Sequence, residues 1–122
     1  MIVDDHADVR YLIRAIVDDA EESDDVVVAG EADGVRAALE SIDQVDPDVV
    51  VLDALMPVVG GLEAAPMILA RRPGQAILMC SAFVDDELRE KALAVGIAAC
   101  VSKDDLEAIP RIAAELARPT PG

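Results

Sequence analysis

The run Asp48-Val49-Val50-Val51-Leu52-Asp53 is apolar on both parities and closed by a carboxylate at each end. Alternate residues of a strand point to opposite faces, so this strand is covered on both sides. A strand buried in that way belongs to a parallel sheet with helices above and below. Working outward, short apolar runs alternate with helical periodicity along the whole chain. Met1-Ile2-Val3 leads into Asp4-Asp5, and Val9, Leu12, Ile13, Ile16 and Val17 then recur at helical spacing, with Asp8 near the N-cap. Val26-Val27-Val28-Ala29-Gly30 reads as a second, β-branched strand. Val35, Ala38, Leu39 and Ile42 mark a second helix. After Asp53, Gly60-Gly61 closes a loop and Leu62 to Arg71 reads as helix, with Pro66 inside it. Ala76 to Cys80 is the fourth strand. Val84, Leu88, Ala92 and Val95 give a helix that Gly96 ends. Ile97 to Val101 is the fifth strand, and the last helix starts near Pro110.

Five βα units with short connections predict an α/β fold, a (βα)5 doubly wound parallel sheet with right-handed crossovers. The length of 122 residues fits one domain. We place that domain at residues 1–117, with 118–122, Arg-Pro-Thr-Pro-Gly, as a tail or the start of a linker. The first strand has three residues where a central strand needs about five, so we expect further residues upstream of Met1.

Hydrophobic residues make up 53% of the chain and aromatics only 2%, so the core is built from aliphatic side chains. The formal net charge of −15 repels phosphate backbones and anionic bilayers, which argues against direct nucleic-acid or membrane binding. No basic, apolar leader precedes Asp4-Asp5, and the longest apolar stretch is broken by Asp53, Pro57, Glu63 and Pro66. Cys80 and Cys100 do not form a disulfide framework, and a redox pair between them requires close approach on neighbouring strands. These features point to a cytoplasmic protein.

Ligands of doubly wound sheets sit beyond the carboxyl ends of the strands. Those ends carry Asp4-Asp5, Asp53, Ser81 and Ser102-Lys103. Three carboxylates brought together require a counter-charge. Mg²⁺ fits, because it accepts one or two carboxylates and keeps water and phosphate oxygens. A carboxylate can also take a phosphoryl group as an acyl phosphate, with a metal and an ammonium neutralising the transferred oxygens. His6 has no partner His or Cys at ligand spacing and reads as a loop residue. Met56, Met67 and Met79 read as gap fillers.

Val3-Asp4-Asp5-His6, Leu52-Asp53-Ala54-Leu55-Met56-Pro57 with Gly61, Ser81-Ala82 and Lys103, in that order, resemble the receiver domain of two-component response regulators. The likeness runs to about Ala117. It implies a flavodoxin-like three-layer sandwich with strand order 2-1-3-4-5. It makes Asp53 the phosphoacceptor and gives Mg²⁺ to Asp5, Asp53 and the backbone carbonyl of Leu55, with Asp4 assisting through water. It has Ser81 turn toward the phosphate and Lys103 pair with it. The implied donor is a phosphohistidine on a sensor histidine kinase or phosphotransfer protein, or a small phosphodonor. The implied output is a change of the face formed by the fourth helix, fifth strand and fifth helix, open to an output domain, a target protein or a homodimer partner. Such a protein is no enzyme beyond its own phosphorylation and dephosphorylation.

The chain departs from the family pattern in places. Cys100 stands where an aromatic switch residue is common, Asp104 where Pro follows the lysine, and Gly60 where Asp or Asn is common. Leu55 and Phe83, each two residues after its site residue, are apolar and flank the path of attacking water, which predicts slow loss of the phosphoryl group. Two other readings compete. One is a receiver-like interaction module without phosphate chemistry, kept open by Cys100. The other is a haloacid-dehalogenase-like phosphatase, which needs a second Asp where Leu55 stands. A dinucleotide site fails because no G-x-G-x-x-G follows the first strand.

Overall fold

The computed structural model describes residues 1–20 and 26–117. The proposed tail at 118–122 lies outside the described residues. The elements alternate as expected: β1 (Ile2–Val3), α1 (Ala7–Asp19), β2 (Glu31–Ala32), α2 (Val35–Val45), β3 (Val49–Asp53), α3 (Gly61–Arg71), β4 (Ala76–Ser81), α4 (Asp86–Ala94), β5 (Ala99–Ser102) and α5 (Ile109–Ala117). A 3-10 stretch, Lys103–Ala108, interrupted at Asp105, joins β5 to α5. The strands form one sheet in the order β2-β1-β3-β4-β5, and every pair is parallel.

The alternation along β3 builds both cores. Val50 and Leu52 join Val3, Ile77 and Met79 on one face, under Ala38 and Ile42 of α2, Ala64, Ala65 and Ile68 of α3, and Ala92 of α4. Val49 and Val51 join Ile2, Leu78, Cys80 and Val101 on the other face, under Ile13 and Val17 of α1 and Ile109 and Ala113 of α5. All five residues of β3 are buried. Small residues in α3 and α4 let those helices approach the sheet closely. α4 begins at its Asp85 N-cap, whose carboxylate accepts from the Leu88 amide at 2.8 Å. Gly96 follows the helix at φ +90°, and a Cβ there would lie 2.6 Å from Leu69 Cδ1. Among the described residues, no helix is long and apolar enough to cross a membrane.

The second strand differs from expectation. Val26–Gly30 carries the β-branched signal, yet pairing with β1 occurs at Glu31 and Ala32. β1 offers only Ile2 and Val3 to a neighbour, so the apolar run touches it only at its end, where the Gly30 carbonyl accepts from the Ile2 amide at 3.0 Å. Val26 and Val28 pack against the second core instead. At α1, His6 rather than Asp8 is the N-cap, and Asp8 lies in the first turn. Pro66 leaves α3 continuous.

Val58, between β3 and α3, has φ +72° and is 98% exposed. A β-branched residue in the left-handed region is strained, and here no packing offsets the strain. Val58→Gly is expected to stabilise the protein by about 1 kcal/mol. Urea unfolding would show this as a higher midpoint with unchanged slope. An unchanged midpoint would place no strain at this residue.

Candidate functional site

Register brings the strand ends level. Val3 pairs with Leu52, Asp53 with Cys80, and Ser81 with Ser102. Asp4 therefore follows β1 beside Asp53 at the end of β3, and Lys103 follows β5 along the same rim. The Asp4 amide donates to the Ala32 carbonyl at 3.1 Å, and the Ala54 amide donates to the Cys80 carbonyl at 2.8 Å. The backbone carrying both acids is thus pinned by the sheet.

Asp53 is 2% exposed. One of its oxygens, Oδ1, lies 3.0 Å from Lys103 Nζ and accepts from the Leu55 amide at 3.3 Å. The other, Oδ2, is buried with no hydrogen-bond partner, as is Oδ1 of Asp5. Asp4 is equally buried. Its Oδ1 accepts from the His6 amide at 2.8 Å, and its Oδ2 lies 3.9 Å from Lys103 Nζ. Arg10 donates to the Asp4 carbonyl at 2.7 Å and also contacts Glu31, which holds Arg14 as well. One ligand-type atom each from Asp4, Asp5, His6 and Asp53 falls within 4.8 Å of the others.

Burial pushes the Asp4 carboxyl above its ordinary value. Asp53 and Asp5 add to that shift, while the His6 amide and Lys103 oppose it. Burial works against the charge of Lys103, but its contact with Asp53 and the field of Asp4 outweigh burial and raise its pKa. The ammonium is therefore secure at neutral pH, and the cup carries one fixed cation against three acids. An acid with a raised folded pKa contributes stability that is present below its unfolded value and is lost as pH rises through the folded value. At pH 7 Asp4 thus weakens the metal-free protein. Asp4→Asn keeps an acceptor for the His6 amide, and it is expected to raise the Tm by a few degrees at pH 7 and by less at pH 4. A lower Tm at pH 7 would contradict this electrostatic account.

Two buried carboxylate oxygens without partners, in a cup whose carboxylates supply oxygen donors, fit a hard divalent cation. Asp4, Asp5 and Asp53 are the residues able to hold it.

Of the residues expected at the site, Asp4, Asp5, Asp53 and Lys103 are brought together. Ser81 is buried at the rim, and its hydroxyl donates to the Phe83 carbonyl at 3.0 Å. Cys100 is not at the cup. It aligns with Met79 and packs against the first core, beside Leu88 and Ala92 of α4, whereas Cys80 belongs to the second core. The two thiols lie on opposite faces of the sheet, which rules out the redox pair. Burial pushes the Cys80 thiol up to about 12, so it is an inert core residue. Sequence reasoning missed two residues. His6 lies in the loop before α1 as expected, but its ring reaches two acids, a proximity the sequence did not signal. Arg10 braces the Asp4 carbonyl across the first turn of α1, and its sequence position carries no signal of that role.

The family profile for the response regulator receiver domain matches residues 1–113. The chain is 42% identical over 83 residues to the chemotaxis protein CheY of Listeria monocytogenes, covering 68% of this chain and 66% of that protein. It is 34% identical over 107 residues to a protein-glutamate methylesterase/protein-glutamine glutaminase of Nitrobacter winogradskyi, covering 86% of this chain. The chain spans only 24% of that longer relative. Among solved structures, a LuxR-family two-component response regulator from Aurantimonas sp. SI85-9A1 superposes with a TM-score of 0.84 at 30% identity, over 96% of this chain and 83% of that one.

Proposed function

From the premise that this chain belongs to the response regulator receiver domain family, we propose that it is a phosphoacceptor switch whose acceptor is Asp53. One observation carries the assignment. Asp53 is a buried carboxylate with one oxygen held by Lys103 and the other without a partner, beside two further acids. Oδ2 attacks phosphorus, the donor's bond to phosphorus breaks, and an acyl phosphate forms. Lys103 already sits at the acceptor and stays charged, so it meets the incoming phosphoryl oxygens without reorganisation. Asp5, Asp53 and the Leu55 carbonyl would hold Mg²⁺, with Asp4 assisting through water, and the bound ion would supply further positive charge for those oxygens. Ser81 leaves the Phe83 carbonyl to donate to the phosphate, which re-sets the loop before α4.

The donor is a phosphohistidine of a sensor histidine kinase or phosphotransfer protein, or a small acyl phosphate, and the setting is the cytoplasm. The output is read from α4, β5 and α5 by an output domain, a target protein or a second copy. Cys100, packed under α4, replaces the usual aromatic in that readout. The only turnover is the domain's own phosphorylation and dephosphorylation. Leu55, apolar and 76% exposed, stands where a phosphatase needs its general acid, and this weighs against phosphoester turnover.

Mass spectrometry after treatment with acetyl phosphate and Mg²⁺ tests the proposal. The expected result is one hydroxylamine-sensitive phosphoryl group on the peptide containing Asp53. A phosphoryl group elsewhere, or none, would overturn it.

Phe83 is 73% exposed and Leu55 76%, and each follows a site residue by two positions, so both offer apolar surface beside Asp53 and Ser81. Leu55→Asn and Phe83→Glu place polar groups on the path of water. Each is expected to speed loss of the phosphoryl group by about tenfold, the low end of what a group positioning a proton or water contributes. Lifetimes unchanged in both variants would remove the role given to this apolar surface.

A further inference from the structure

We propose that His6 turns the acidic cup into a mixed oxygen–nitrogen site that binds a borderline transition ion of the Zn²⁺ class in preference to Mg²⁺. The inference rests on reading the cup as a metal site and deepens it. His6 Nδ1 lies 3.2 Å from Asp5 Oδ1 and 3.4 Å from Asp4 Oδ1. Neither contact is a hydrogen bond, and Asp5 Oδ1 is buried without any partner. His6 Nδ1 and the buried Asp5 Oδ1 lie side by side, close enough to serve as two donors to one cation.

Asp53 supplies the independent observation. It is 2% exposed, and its Oδ2 is buried without a partner. The donor atoms of all four residues lie within 4.8 Å of one another. An ion bonded at about 2.1 Å spans donors up to about 4.2 Å apart, so a closure of less than an ångström completes the set. The His6 backbone is fixed for this task. Its amide is held by Asp4 Oδ1 at 2.8 Å, and its carbonyl accepts from the Arg10 amide at 3.1 Å. The ring itself is 64% exposed, which leaves an entry path for the ion.

Donor chemistry sets the preference. Carboxylates alone suit hard cations, whereas imidazole adds little for Mg²⁺ and much for Zn²⁺. Both ions would use the same carboxylates, so occupancy by one excludes the other.

The test titrates the 122-residue protein with Zn²⁺ and Mg²⁺ as separate probes, by calorimetry and by competition with a chromophoric chelator. Wild type, His6→Ala and Asp53→Asn are compared. Zn²⁺ is expected to bind wild type at least about a hundredfold more tightly than Mg²⁺. His6→Ala is expected to weaken Zn²⁺ by at least about tenfold and to leave Mg²⁺ within about twofold. Asp53→Asn is expected to weaken both ions. His6 is the sole histidine of the chain, so its ring ¹⁵N signals in NMR need no assignment, and Nδ1 is expected to shift on addition of Zn²⁺. Zn²⁺ affinity unchanged in His6→Ala, or an unmoved ring signal, overturns the role of His6 while Mg²⁺ binding leaves the receiver reading intact. Failure of both ions to bind wild type removes the metal-site reading beneath it.

Discussion

Lys103→Met is expected to slow phosphoryl uptake from acetyl phosphate by about a hundredfold or more. Removing one preorganised charge or donor from a developing anion costs roughly 10²–10³ in rate. Lys103 is such a group, since its ammonium lies 3.0 Å from Asp53 Oδ1 and 3.9 Å from Asp4 Oδ2. It is also the one cation in contact with both acids among the described residues. Methionine keeps most of the apolar stem that Lys103 packs along the rim, so the change isolates the charge. Without it, a dianionic phosphoryl group meets three acids with no ammonium opposite. Uptake is followed by intact-mass spectrometry at fixed acetyl phosphate and Mg²⁺, with circular dichroism to confirm the fold. A rate within threefold of wild type would make Lys103 a bystander.

Gly61→Ala is expected to cost about 3 kcal/mol of stability and to lower phosphorylation with it. A Cβ at this position would stand 2.6 Å from the Asp53 carbonyl oxygen and 3.0 Å from Ala54 Cα. Both neighbours are backbone, so no side chain can swing aside to relieve the overlap. The Gly61 amide also donates to the Ala54 carbonyl at 2.8 Å, which ties the first residue of α3 to the end of β3. Either α3 lifts from the sheet or the acceptor strand shifts. Overpacking of this kind typically costs 1–3 kcal/mol, and backbone overlap sits at the upper end. Urea unfolding measures the first effect and mass spectrometry the second. A loss under about 0.5 kcal/mol would show that the junction has slack.

The frame of the fold was legible because its signals are strong and local. Val49 to Leu52 are apolar on both parities, and Gly96 and Asp53 punctuate the pattern where a helix and a strand end. Convergence of Asp4, Asp5, Asp53 and Lys103 followed from the rule that strand carboxyl ends share one rim. What stayed hidden depends on partners that a linear pattern does not contain. Val26 to Gly30 has the composition of a strand, but pairing needs a neighbour, and β1 pairs with Glu31 and Ala32 beyond that run. The left-handed Val58 carries no signal, since valine is the wrong residue for that conformation. His6 was set aside because no second His or Cys lies at ligand spacing. Its true neighbours are adjacent acids that the start of α1 turns back toward it. Ser81 closes β4 as expected, but the hold of its hydroxyl on the Phe83 carbonyl depends on the loop beyond.

The acceptor cup is stitched from chain segments about fifty residues apart in sequence, the ends of β1 and β3 and the residue after β5. Bringing them together requires both crossovers to close and the central strands to dock. A nascent or partly opened chain therefore has its acids and its lysine scattered in water, where none resembles the native acceptor. On the proposed function, competence to take up a phosphoryl group would arise only at the close of folding, as a collective property. A lesion that loosens the sheet far from Asp53 would then lower phosphoryl uptake together with stability.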